Sequence, residues 1–440
     1  MTIVAPYKEK STINLFLMKI FTALFIGFVV TSPLNNSYEI AAMMNGTLAA
    51  SALALGVPAW TAPLTPVYIK ALKDVFFLFS AMLVVAGCVK SPKRARIFLT
   101  TPFIPLNLFA IIVILSAFYS LTFMPTEIVL MGIRGYWSLG LIYAGAFFYT
   151  FDERKLYPFI AAVFCFHFVL QIIQFATDMG FAVFFQHYRS PGLFIIASTA
   201  GAFALLVHYF AIRFHSIPLK IASILSLWMS NSTSGLFILI AYYIYAYRKT
   251  FRPKILFYPI YCITVLIAGY IMIANLGAVT GRGGGAAYSG LTRLALIYGA
   301  FSHLTSLIFG QGMGIATSQA YQSGYSNAVI ADNTYLGILY NAGIVPALAM
   351  MVFVIGSFRY VANRLLYMLF LGYSMTTVIF ELNPIIQIVL ILLGMHIGRQ
   401  YATHPAALKS RTSKPRPVPC NKPDGTPASF CPGNVVMHRG

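Results

Sequence analysis

Acidic side chains are scarce in this chain. Ten aspartates and glutamates stand against thirty lysines and arginines among 440 residues, and charged residues of both signs make up only 9%. Soluble domains carry roughly a quarter of their residues as charges, so a water-soluble globular body is excluded. Cysteine is sparse too. Cys88, Cys165 and Cys262 lie in apolar stretches, and Cys420 and Cys431 lie in a polar tail. That distribution supports no disulfide framework, and all five are expected to be reduced. No clear small-residue cleavage site follows "MTIVAPYKEKSTINLFLMKIFTALFIGFVV", so this segment is expected to be the first membrane span and not a removable leader.

What is abundant is apolar. Hydrophobic residues reach 59% with a mean hydropathy of +0.78. Runs of about 20 such residues, the length that crosses a bilayer, recur from Leu15 to "IIQIVLILLGMHIG". A chain in hydrocarbon must satisfy its own backbone groups, so these runs predict an all-α polytopic bundle. A net charge of +20 would point to nucleic acid in a soluble protein. Here the basic residues fall in short connections, where they report topology, and no nucleic-acid partner is expected.

Basic clusters mark one side of the membrane, the cytoplasmic one by the positive-inside rule. They are Lys8 and Lys10, "KSPKRAR" (90 to 96), "DERK" (152 to 155), "RFHSIPLK" (213 to 220), "YRKTFRPK" (247 to 254), "RYVANR" (359 to 364) and "KSRTSKPRP" in the tail. The chain must cross an even number of times between successive clusters. Spans near 98 to 118, 128 to 149, 157 to 178 and 192 to 213 satisfy this. The 219 to 247 stretch is too short for two full helices at 1.5 Å per residue and predicts two short ones around "SNSTSG". Further spans follow near 255 to 274, 334 to 356, 363 to 381 and 383 to 397. The total is about twelve if 39 to 57 is re-entrant or external. Residues 275 to 332 form the longest external loop, with a surface helix near 291 to 309. Residues 1 to 404 form the membrane domain, and the Pro-, Ser- and Lys-rich 405 to 440 form a disordered cytoplasmic tail.

Ionisable groups at the membrane edge are costly, and each is a candidate for function. On this topology the outward set is Glu39, Glu127, Asp178, His187, Arg189, Arg282, Arg293, His303, Asp332 and Glu381. Arg189, in "HYRSPGLF", offers a planar fork of donors suited to phosphate oxygens; the plainer role is an interfacial snorkelling residue. Arg282 and Arg293 flank a glycine run, and His303 falls on the polar face of the surface helix. "LIFGQGMGIA" reads as a tight turn, since no strand precedes it and no lysine follows. Arg134 has either Asp74 or a lipid phosphate as its partner. Asp332, before Asn333 and Thr334 at a helix start, is the acid or base candidate; its plainer role is a helix cap.

The order of these features resembles the Wzy/O-antigen ligase superfamily. They are an arginine and "GLF" before a span, a serine-rich break, then "LTRLALIYGAF", "LIFGQGMG" and "DNTYLGILYNAGI" along the external loop. The likeness is concentrated from about 185 to 356. It implies a membrane-embedded glycosyltransferase without metal or cofactor. The substrate would be undecaprenyl-diphosphate-linked oligosaccharide at the outer face of a bacterial inner membrane, with a flippase and a chain-length regulator as pathway partners. It also implies that Arg189, with Arg282 or Arg293, binds diphosphate. The ligase branch carries a histidine where this chain has Asp332, which favours the polymerase branch. The serine-rich break lacks the arginine commonly found beside it. The alternatives are O-antigen ligase, a lipid-linked oligosaccharide flippase or other carrier, and a structural subunit of an export complex.

The topology predicts that alkaline phosphatase fused after Gly277 is active and fused after Ser91 is inactive. The reverse pattern overturns the assignment of sides.

Overall fold

The computed structural model describes residues 12–54, 64–179, 189–249, 295, 298–299, 308–317, 320, 325, 328–329, 331, 333–377 and 382–403. The described residues are helical without strands. In chain order the helices are α1 (Thr12–Thr31), α2 (Ser37–Met44), α3 (Leu48–Ala54), α4 (Val67–Lys70), α5 (Leu72–Lys90) and α6 (Pro92–Ala95). Next come α7 (Ile104–Ser120), α8 (Thr126–Trp137), α9 (Gly140–Phe147), α10 (Tyr157–Ala176), α11 (Ala197–Arg213) and α12 (Ile217–Met229). The last are α13 (Thr233–Ala246), α14 (Thr334–Ala342), α15 (Ile344–Ser357), α16 (Arg364–Thr376) and α17 (Ile385–Thr403).

Helix α10 shows why the bundle needs lipid. Its inward face carries His167, Gln171 and Gln174, all buried, while Phe166, Val169, Ile172 and Ile173 face outward. A water-soluble helix has the opposite arrangement. Helix α7 is apolar on both faces, with Phe109 and Val113 buried and Ile111, Leu115 and Phe118 exposed. This protein is a membrane protein.

Five helical stretches among the described residues are long and apolar enough to cross a membrane, or six if the pair 92–99 and 104–120, bent by 81°, counts as one. That count covers the described residues, and among them several expected spans are interrupted or short. The stretch 39 to 57, which the expected twelve leaves out as re-entrant or external, holds two helices of 8 and 7 residues, parted at Gly46 with φ +70°, and neither alone reaches across about 30 Å. The expected span 334 to 356 breaks at Gly343, φ +89°, into a 9-residue and a 14-residue helix. The paired short helices around "SNSTSG" are present as α12 and α13. Of the surface helix expected near 291 to 309, residues 295, 298, 299, 308 and 309 are described, and all five are helical. The remainder of the surface helix, the expected span at 255 to 274 and the tail at 405 to 440 lie outside the described residues.

Helix α11 is the axis of the bundle, with 14 of its 17 residues buried. Its small residues Ala197, Ala200, Gly201, Ala202 and Ala204 allow neighbours to approach closely. Aromatic stacking joins the N-terminal third: Phe21 lies 4.3 Å from Phe148 and Phe28 lies 4.4 Å from Phe76, between ring centroids. At the basic end, buried Glu153 ties three segments together. Its Oε2 accepts from Tyr209 at 2.6 Å and pairs with Arg213 Nε at 3.0 Å, and its Oε1 pairs with Arg399. Arg399 also donates to the carbonyls of Tyr149 and Phe151, at 2.8 and 2.6 Å.

A glycine seam joins α9 to α17. A Cβ on Gly145 would stand 2.0 Å from the Ile391 carbonyl oxygen, and one on Gly394 would stand 2.0 Å from that of Ile142. Both obstacles are backbone, so the helices would have to part. Gly394→Ala is therefore expected to lower the unfolding midpoint of the detergent-purified protein, by an overpacking cost of about 1–3 kcal/mol. Gly135→Ala and Gly356→Ala meet open space and should be neutral or stabilising by about 0.5–1 kcal/mol. Equal midpoints for all three variants contradict the seam.

Candidate functional site

Four helices carry a basic residue at or next to one end: Arg213 closes α11, Lys220 lies in the first turn of α12, Arg248 follows α13 and Arg364 opens α16. Their opposite ends converge and are rich in hydroxyls. A Cβ on Gly201 of α11 would stand 2.4 Å from Ser232 Oγ and 2.7 Å from the Tyr373 hydroxyl. Ser232 caps α13, accepting from Gly235 N at 3.4 Å, and lies 3.2 Å from the Tyr373 hydroxyl on α16. One residue on, Ser374 meets the Tyr335 hydroxyl of α14 at 3.3 Å, and Thr334 Oγ1 donates to Thr377 O at 3.1 Å. The starts of α11, α13 and α14 thus meet the end of α16. Helix starts bring partial positive charge to this end, and the ends of α12 and α16 bring partial negative charge beside it.

Arg189 belongs to the same end. Ser190 N donates to Met229 O, the last residue of α12, at 2.9 Å. The chain from Ser190 to Ile195 is buried but not helical, so its backbone groups need partners from side chains. Helix α10 supplies them. Gln174 accepts from Gly192 N at 2.7 Å and donates to Gly192 O at 3.1 Å. Gln171 donates to Ser190 O at 2.8 Å while accepting from Ser226 Oγ at 2.6 Å, and Leu193 N donates to His167 Nδ1 at 3.1 Å. Gly192 turns the loop with φ +61°, and a Cβ there would stand 2.4 Å from the His167 ring. The position of Arg189 is therefore fixed by a network that begins at the next residue.

The other expected residues divide. Asn333 caps α14, its Oδ1 accepting from Leu336 N at 2.7 Å, so the capping role offered to Asp332 is filled by its neighbour. Arg134 takes the first of its two expected partners, with Nη2 2.5 Å from Asp74 Oδ2. Asp332, His187, Arg282, Arg293 and His303 lie outside the described residues. The segment "GQGMG" is a tight turn, with φ +77°, +131° and +98° at Gly310, Gly312 and Gly314. The Met313 amide donates to Ser120 Oγ at 2.8 Å and the Ala316 amide to Asn341 Oδ1 at 2.9 Å. Those two amides hold the turn against α7 and α14, as expected of a structural turn and not of a phosphate cradle.

His167, Gln171 and Gln174 were passed over in the sequence. The signal was present in "FCFHFVLQIIQFA": three polar residues at i, i+4 and i+7 on one face of an otherwise apolar helix.

No protein-family model matches this chain, and no curated protein matches it significantly.

Gln174→Met should leave the Gly192 amide and carbonyl unpaired, at about 1–3 kcal/mol for each buried group. Asn333→Ala should cost about 1 kcal/mol through the lost cap. Unfolding midpoints of the purified protein check both; a wild-type midpoint for Gln174→Met contradicts the loop assignment.

Proposed function

We propose that this chain is a membrane-embedded glycosyltransferase that polymerises undecaprenyl-diphosphate-linked oligosaccharide repeat units at the outer face of a bacterial inner membrane. The observation that carries the reading is a fixed arginine, Arg189, at the bundle end where hydroxyl-rich helix starts gather, away from the basic ends. The order of motifs from about 185 to 356 supports the same reading. In the proposed topology about twelve crossings leave both chain ends in the cytoplasm and the 275 to 332 loop outside.

In the reaction, a sugar hydroxyl of one repeat unit attacks the anomeric carbon of the lipid-linked glycan. The new glycosidic bond forms as the bond to the diphosphate oxygen breaks, and the lipid diphosphate leaves with the electron pair. Asp332 accepts the hydroxyl proton as general base. Arg189, joined by Arg282 and Arg293, takes up the charge that grows on the diphosphate, a task guanidinium groups perform without metal. Tyr335, only half-buried at that end, offers its hydroxyl to the sugars. Pathway partners would be the flippase that delivers repeat units and a regulator of chain length.

A flippase is the second reading, favoured by the helix broken at Gly343 and the short pair around "SNSTSG", features that carriers place at their substrate sites. Gene deletion separates the readings. Single repeat units accumulate on the outer leaflet if the protein is the polymerase, on the cytoplasmic leaflet if it is the flippase, and full polymer stays on its lipid carrier if it is a ligase. Asp332→Asn is expected to abolish polymer at normal protein level, and Arg189→Ala to lower the polymerisation rate about 10²- to 10³-fold, the scale for losing one donor to a developing anion. Unchanged chain length in both variants sinks the proposal.

A further inference from the structure

The connection between α5 and α7 carries a charge that nothing in its own stretch balances. From Val75 to Thr126 the sequence has four cations, Lys90, Lys93, Arg94 and Arg96, and no acidic residue. Helix α5 ends at Lys90, and the 17 residues of α7 cover about 25 Å, nearly the thickness of the bilayer core. The helical residues 92–99 are therefore not needed for the crossing. They stand at 81° to α7, so they lie along the membrane face and form an elbow between two spans.

The elbow has two faces. Inward, Ile97 is buried, the Phe98 ring lies 5.2 Å from that of Tyr143, and the Phe98 carbonyl accepts from Asn107 Nδ2 at 2.8 Å. The Arg94 guanidinium turns the same way, 4.8 Å over the Tyr149 ring. Outward, Lys93 and Arg96 stand one turn apart and are exposed, as is Lys90 at the end of α5. Among the described residues, none of these three has a hydrogen-bond or ion-pair partner. Two apolar side chains flank them, Val89 and Leu99, 79% and 76% exposed.

The rest of the chain brings no surplus of acid to this face. On the side of the basic clusters, Asp152 and Glu153 stand beside Arg154 and Lys155, and Glu153 is already held by Arg213 and Arg399. Outside the described residues, Glu9 lies between Lys8 and Lys10, and Asp424 lies in a tail with Lys414, Arg416 and Lys422. Asp332 and Glu381 adjoin in sequence segments at the opposite end of the spans. Each acid that could approach thus brings cations of its own. The occupant must supply its own negative charge, and Val89 and Leu99 beside it call for acyl chains. A water-soluble polyanion meets the first condition and not the second; an anionic lipid meets both.

We propose that Lys90, Lys93 and Arg96 form a binding surface for the phosphate groups of anionic phospholipids, with Val89 and Leu99 against the acyl chains. The two ammonium groups act as point charges, and the Arg96 fork grips a phosphodiester through two oxygens. The surface uses none of the residues assigned to the polymerase reaction and does not rest on that reading.

The test places the full chain in vesicles of equal phosphatidylglycerol and phosphatidylcholine, the same mixture in both leaflets, with a benzophenone photo-crosslinking side chain in place of Leu99. The mass of the adduct reports which lipid stands beside the elbow. Phosphatidylglycerol adducts should exceed phosphatidylcholine adducts about tenfold or more, on the scale of roughly fivefold for each cation beside an anionic head group. Lys93→Gln with Arg96→Gln should bring the ratio back close to one. Lys93→Arg with Arg96→Lys, which keeps both charges, should hold the wild-type ratio, and so should Arg154→Gln with Lys155→Gln, an equal charge change elsewhere. Because Lys93 and Arg96 support no other group in the fold, unfolding midpoints should stay at wild type, which separates lost binding from lost structure. Wild-type adducts at the bulk ratio, unchanged enrichment after Lys93→Gln with Arg96→Gln, or an equal fall after Arg154→Gln with Lys155→Gln overturns the surface. In membranes of the producing cell, an adduct to another protein in place of lipid overturns it as well.

Discussion

In hydrocarbon no water is present to satisfy a stray amide, and the interior of this bundle is arranged around that constraint. The chain leaves helical geometry inside the protein between Ser190 and Ile195, and each backbone group released there would cost several kcal/mol if left bare. Gln171, Gln174 and His167 replace the lost helical partners, with Gln174 serving both the N–H and the C=O of Gly192. The loop is therefore as determined as a helix would be, and it fixes the backbone next to Arg189. The rigidity of the site comes from these amide side chains.

The same solvent accounts for the distribution of polarity. A buried polar face on α10 and outward Phe166 and Val169 are tolerable only if the outside is less polar than the inside. The polar residues within the spans then sort by height. Charged pairs involving Glu153 sit at the basic end, amides and imidazole sit beside the buried loop, and hydroxyls gather where α11, α13, α14 and α16 meet.

Class was legible from the sequence because it depends on bulk hydropathy, and α10 matched its expected span closely because nothing within 157 to 176 interrupts it. The short pair at "SNSTSG" was legible because length forbade two full crossings. The break at Gly343 was not read, although "YNAGIVPAL" carries Gly343 and Pro346, residues that commonly interrupt helices; the close packing of the 308 to 310 segment, where a Cβ on Gly343 would stand 2.0 Å from Ile308 O, is a tertiary contact that adds to that local signal. Arg189 was singled out because a charge stands out beside a largely apolar span. The pairing of Arg134 with Asp74 was one of two options that spacing alone could not separate. Asn333 displaced Asp332 as the cap because adjacent residues differ by one position in helix phase, finer than sequence patterns resolve.

Glu153 sets a schedule for biogenesis. Its two guanidinium partners enter the chain at different times, Arg213 after the next few helices and Arg399, 246 residues downstream, only as the final helix emerges. During synthesis the carboxylate has one of its two guanidinium partners until the last segment docks. Completion of the polypeptide closes that ion cluster, and a truncated product lacking α17 would leave Glu153 with Arg213 and Tyr209 as its partners.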